Sequence, residues 1–100
     1  MKPVSIGVLV EEQVEFTLGE LSQVCQVERQ RLVALVEAGV LEPAGGQPDD
    51  WRFAGASLRR ARTALRLARD FELDASATAL VLDLLEEIET LRGRLRRYGA

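Results

Sequence analysis

Charged side chains supply nearly all the chemistry that this sequence has to offer. It contains no histidine and one cysteine, Cys25, so no nucleophile–base pair can be proposed and little is left from which to build a zinc or haem site. Gly45-Gly46 is not a phosphate loop, because no strand-to-helix context and no following lysine accompany it. An enzyme, a resident metal and a cofactor are therefore not expected. What remains is charge in blocks. Residues 1–56 carry four basic and nine acidic groups, a net of −5, and residues 57–71 carry five arginines against Asp70. Residues 72–91 hold six acids and no base, and residues 92–100 add four arginines. The acids of the last block could be solvated side chains that balance the arginines or contacts for a basic partner. Arg59, Arg62, Arg66 and Arg69, spaced by three and four residues, could bind phosphates or an acidic protein. The alternative is that this arginine stripe covers the domain surface and pairs with the acidic last helix.

The elements that must position these charges begin at Phe16. Thr17 with Glu20 three residues on makes a capping box, and Leu18, Leu21, Val24 and Cys25 recur at helical spacing. Gln26-Val27 interrupts, and a second helix follows from about Glu28 to Ala38, with Leu32, Leu35 and Val36 inward. Gly39 stands where a left-handed residue closes a helix, and Val40 is placed to fold over Leu35. Pro43 blocks a restart. Ala44 to Asp50 reads as a loop or wing tip, and Trp51, Arg52 and Phe53 as a short strand whose aromatics cover the two small helices. This is a helix-turn-helix followed by a wing. Ahead of it, residues 3–16 alternate weakly, with Val4, Ile6, Val8 and Val10 on one face of an edge strand that would pair near Trp51.

A third helix is expected over 55–71. Leu58, Ala61, Ala64, Leu65 and Ala68 lie inward, and Ala54 makes a poor cap. Asp74 or Ser76 can cap a fourth helix to about Arg97. On it Ala77, Val81, Leu84, Ile88, Leu91, Leu95 and Tyr98 alternate four- and three-residue steps, the seam of a coiled coil. Leu80, Leu82 and Leu85 form a second face expected to pack on helix three. Past Ile88 only the seam remains, and a seam that outruns its own domain wants a partner helix, most cheaply a second copy. Ile88, Leu91, Leu95 and Tyr98 are thus the expected dimer contacts.

The whole chain of 100 residues is read as a single mainly α domain: an N-terminal strand (1–16), the helix-turn-helix and wing (17–53), a third helix (55–71) and a long C-terminal helix (74–98). The N-terminus lacks the apolar core of a signal peptide and no run approaches the ~18 apolar residues of a membrane span, so the expected home is the cytoplasm.

Several motifs together carry a resemblance. Thr17-Leu18-Gly19-Glu20-Leu21, the Glu-Ala-Gly-Val-Leu-Glu-Pro run of 37–43 and Trp51-Arg52-Phe53 resemble the winged helix-turn-helix of MerR-type proteins. With the arginine run of 59–69, Asp70 and Leu82-Asp83-Leu84-Leu85-Glu86-Glu87-Ile88 added, the chain resembles the CbpM-type chaperone modulators, which are small and MerR-like. The match spans about residues 16–97. It departs from the family pattern at Gln26, where many such turns have glycine, and at Ala54. The resemblance implies binding to the J-domain of a DnaJ-like co-chaperone of the CbpA type, and restraint of its activity; such a J-domain presents a basic helix, for which Asp83, Glu86 and Glu87, off the heptad seam, are the candidate contact acids, with Asp49 and Asp50 as a second group. The alternative is a MerR-family DNA-binding transcriptional regulator. Against DNA stands the acidic balance of the reading unit, with Glu28 heading the second helix and Asp49-Asp50 at the wing tip. Arg29, Arg31 and Arg52 remain as possible phosphate contacts.

Overall fold

The computed structural model describes residues 14–99, in the order β1 (Glu15–Phe16), α1 (Leu18–Cys25), α2 (Arg29–Glu37), β2 (Phe53–Ala54), α3 (Gly55–Phe71) and α4 (Ala75–Arg97). The fold is mainly helical, with one short two-stranded sheet. β1 runs antiparallel to β2, with Phe16 opposite Phe53. The valine face expected at Val4, Ile6, Val8 and Val10 lies outside the described residues.

Each helix starts and stops for a local reason. The Thr17 hydroxyl accepts from Glu20 N–H (3.1 Å) while the Glu20 carboxylate accepts from Thr17 N–H (2.9 Å), so the capping box is complete. α1 ends at Gln26, which adopts the left-handed conformation (φ 57°). Val27 N–H returns to Ser22 C=O (3.2 Å), and the Ser22 hydroxyl donates to Val27 C=O. Gln26 thus does the work that glycine does elsewhere. α2 closes on Gly39 (φ 83°), with Gly39 N–H bonded to Val36 C=O and Val40 N–H to Leu35 C=O, a complete Schellman motif. Ala54 precedes α3 without a side-chain cap. Asp74, rather than Ser76, caps α4 by accepting from Ala77 N–H (2.8 Å).

The core gathers Leu18 and Leu21 of α1, Leu32 and Leu35 of α2, Val40, Leu41 and Phe53, Ala61 and Ala64 of α3, and Leu82 of α4. Each fully buried Leu or Phe stabilises the fold by about 1.5–3 kcal/mol. Ala61 and Ala64 carry small side chains, so α3 approaches its neighbours closely. Trp51 meets Phe53 edge to face at 6.0 Å and lies half-buried over the core. The strand expected at Trp51–Phe53 is displaced to Phe53–Ala54, while Arg52 forms only an isolated bridge with Ala44. Within the wing, Pro48–Asp50 makes a 3-10 turn over Gly45 (φ 109°), where an added Cβ would lie 2.7 Å from Asp50 O.

Two inward assignments need correction. Val24 is exposed, because at 100° per residue it lies about 120° around α1 from Leu18, whereas Leu21 and Cys25 stay within about 60°. On α4, Leu82 is buried but Leu80 and Leu85 are exposed. The inward stripe is instead Ala75, Thr78, Ala79 and Leu82. Thr78 is fully buried, and its hydroxyl donates to Asp74 C=O (2.8 Å). Leu80 falls on the seam side, roughly opposite Leu82.

Candidate functional surfaces

The described residues contain no group of three metal-ligating side chains, and no helix among them is long and apolar enough to cross a membrane. The candidate sites are surfaces.

The first is the acidic flank of α4. Asp83, Glu86 and Glu87 all stand exposed after Leu82, the last buried residue of the helix. The structure brings Asp83 and Glu86 together through a residue that the sequence reading passed over, Arg60. Its guanidinium pairs with Glu86, lies 4.0 Å from Asp83, and donates through Nε to Val40 C=O. Arg60 therefore ties α4 to α3 and to the turn that closes α2. The pairs are largely exposed, so each contributes only about 0–1 kcal/mol, and their effect is to hold position. Glu87 has no ion pair among the described residues. Asp49 and Asp50 are separate from this flank, exposed on the 3-10 turn of the wing.

Arg60, outside the stripe, makes the pairs with the last helix, and of the stripe itself Arg59 lies on the α4 side beside Glu86 and Glu89, whereas the other three arginines lie elsewhere. On the helical wheel Arg60 lies about 100° to one side of Ala61, while Arg62, Arg66 and Arg69 lie roughly 80–140° to the other. α4 occupies the Arg60 side. Arg62, Arg66 and Arg69 face the turn between α1 and α2, where they line a groove with Cys25 and Val27. Burial pushes the Cys25 thiol above its ordinary value, opposed by the pull of the Arg62 guanidinium. The signal in the sequence was the angle of each arginine relative to Ala61 and Ala64, which separates Arg60 from the stripe.

The second surface is apolar. Leu80, Leu84, Ile88, Leu91, Leu95 and Tyr98 form an exposed row about 27 Å long, with Leu91 46%, Leu95 57% and Tyr98 86% exposed. A row of this length on a helix that has left its core is more than scattered surface leucines.

Of the arginines suggested as phosphate contacts, Arg52 turns back to donate to Trp51 C=O (3.0 Å). Arg29 lies over α1, close enough that a Cβ on Gly19 would sit 2.8 Å from its guanidinium. Arg31 points to the groove of the stripe.

Residues 16–98 match the family described as MerR HTH family regulatory protein. A chaperone modulatory protein CbpM of Coxiella burnetii (strain Dugway 5J108-111) is 36% identical over 95 residues, 95% of this chain and 90% of that protein. The CbpM of Pseudomonas putida (strain W619) is 34% identical over 79 residues, covering 79% of this chain and 78% of its own length. With the capped helix-turn-helix, the wing and the long last helix in place, the chain belongs to the CbpM-type chaperone modulators within the MerR-like helix-turn-helix family.

Proposed function

We propose that this chaperone modulator acts in the cytoplasm, without catalysis, by binding the J-domain of a CbpA- or DnaJ-like co-chaperone and covering the face that a DnaK-type chaperone must reach. The observation that carries this reading is the exposed acidic flank of α4, with Asp83 and Glu86 held in register by Arg60 and Glu87 unpaired beside them. The family resemblance implies a J-domain with a basic helix next to its His-Pro-Asp loop, and such a helix is the complement of this flank. Glu87 is the leading contact because no internal cation competes for it. Asp83 and Glu86 exchange part of their tie to Arg60 for the partner, and Asp49 and Asp50 are the second choice. Blocking by occupancy needs no conformational change.

Calorimetric titration of a CbpA-type J-domain against the Asp83→Lys, Glu87→Lys variant tests it. Binding should weaken by more than roughly tenfold as attraction becomes repulsion. The wild-type affinity should fall with salt, since exposed charges are screened over ~8 Å at physiological ionic strength. Helical circular dichroism should be unchanged. Unchanged affinity in a folded variant would move the site to the wing acids.

The same α4 supports a homodimer through Ile88, Leu91, Leu95 and Tyr98, because no element of the described chain covers that row. Sedimentation should show a dimer at micromolar concentration that Leu91→Asp disrupts, and a concentration-independent monomer would remove this part of the reading. The second reading, a MerR-type DNA-binding regulator, draws on the exposed Arg29 and Arg31 at the head of α2. Glu28 and Asp49-Asp50 oppose it. Selection from a random duplex library at physiological salt should return no motif, and a recovered palindrome would reverse the ranking.

A further inference from the structure

The groove between the α1–α2 turn and the C-terminal half of α3 is left out of that function. It has a volume of about 460 Å³, and four of its lining residues are arginines: Arg31 from α2 and Arg62, Arg66 and Arg69 from α3. No acid lines it. Arg69 is engaged by its neighbour Asp70 (3.2 Å), while Arg31, Arg62 and Arg66 have no ion pair among the described residues. Val27 and Leu65 supply apolar wall between the guanidinium groups, and Cys25 at its edge is partly buried. Like charges gathered against an apolar wall repel one another unless something negative joins them.

We propose that this groove docks a short acidic peptide segment. Arg62, Arg66 and Arg69 span about 10 Å along the helix, which matches two or three carboxylates on an extended peptide, whose alternate residues lie about 7 Å apart. The planar guanidinium fork is suited to carboxylates in bidentate geometry. The surroundings set the length of the ligand. Glu28 shares the adjoining depression with Arg31 and Val27, and Glu72 and Asp74 lie beyond Arg69. A duplex, with a charge every ~1.7 Å, would run its phosphates onto these acids, whereas a peptide of a few residues ends before reaching them. The site uses none of the acids of α4, so it is separate from the J-domain surface proposed above.

Cys25 is the only cysteine of the chain and serves as a reporter inside the groove. Fluorescein-labelled hexaglutamate should bind the full-length protein saturably in anisotropy titration, and should slow alkylation of Cys25 severalfold. Arg62→Ala with Arg66→Ala should weaken binding by roughly tenfold or more and abolish the protection, while Glu87→Lys should leave both unchanged. The arginines are exposed, and circular dichroism checks that the variant stays folded. Absence of saturable binding, or binding indifferent to the double substitution, would overturn the proposal. So would a short mixed-sequence DNA duplex that binds more tightly than hexaglutamate with the same arginine dependence, because the groove would then be a nucleic-acid site.

Discussion

The helix-turn-helix with its wing and the distal part of α4 are both rich in aliphatic residues, yet they place them in opposite ways. In the first region Leu18, Leu21, Leu32, Leu35, Val40 and Leu41 are buried; α1 is closed by a capping box at one end and a left-handed turn at the other, and α2 by a Schellman motif at its C-terminus. In the second nothing after Leu82 is buried, and Leu84, Ile88, Leu91 and Leu95 stay exposed although they are no less apolar. The difference is one of reach. A helix of 23 residues is about 34 Å long, and α2 and α3 beside it bury residues only in its first two turns. Stability is therefore concentrated before residue 83, and the remainder of α4 is surface carried outward by helix continuity. A chain built this way can change its partners without rebuilding its core.

The largest effect separates the two regions directly. Leu21→Ala should cost about 2–5 kcal/mol in urea unfolding, because it opens a cavity at a fully buried site. Leu95→Ala should change stability by no more than about 0.5 kcal/mol at concentrations low enough to keep the chain monomeric. Comparable losses from the two would mean that α4 is packed along its whole length. Next in size is Gly45→Ala. Its positive φ and the approach of Asp50 O leave no room for a Cβ, and the cost should be about 1–3 kcal/mol. That loss belongs to the wing, so dimerisation through α4 should not respond when sedimentation is repeated on the variant.

The same contrast governs what could be read from the residues. Where a local rule decides, the reading stood: Thr17-x-x-Glu20 is a capping box, Gly39 closes α2, and Ala61 and Ala64 face inward. Leu80 and Leu85 failed because a helix that is apolar on two sides does not say which side meets the domain. Thr78 was missed for a related reason. A threonine in a leucine-rich helix looks like surface until its hydroxyl is seen donating to Asp74 C=O. Arg60 was overlooked because its role depends on where Val40 and Glu86 lie in space, 20 and 26 residues away in the chain. The 3-10 turn at Pro48 was legible only as a loop, since several turn types accept Pro-Asp-Asp.

Helix ends offer a smaller and opposite effect. Gln26 and Glu72 both hold left-handed backbone (φ 57° and 54°) without being glycine, a conformation that costs an L-residue roughly 1–2 kcal/mol. Gln26→Gly should raise the urea midpoint by an amount worth about 1 kcal/mol, partly offset by the greater freedom of glycine in the unfolded chain. Glu72→Gly should act alike between α3 and α4. A loss of stability in either would show that the side chain makes a contact outweighing the backbone strain.

The smallest effect tests the exposed region alone. Gly93 sits within the last turns of α4, and an added Cβ there meets only the far end of Arg96, at 3.8 Å. Gly93→Ala should therefore favour the helix by about 1 kcal/mol. Because residues after 82 contribute little to the core, this gain should not appear in the global unfolding midpoint of the monomer. It should appear as slower amide exchange at residues 91–98, where opening is local. If the row from Ile88 to Tyr98 joins two copies, each copy must hold its helix to do so. The substitution then lowers the ordering cost on both sides, and association should tighten by roughly fivefold to thirtyfold, the equivalent of about 1–2 kcal/mol. Slower exchange without tighter association would mean that the helix is already fully formed in the pairing state or that the row meets no second copy. Sedimentation of Gly93→Ala beside Leu91→Asp separates these, since only a true dimer responds to both in opposite directions.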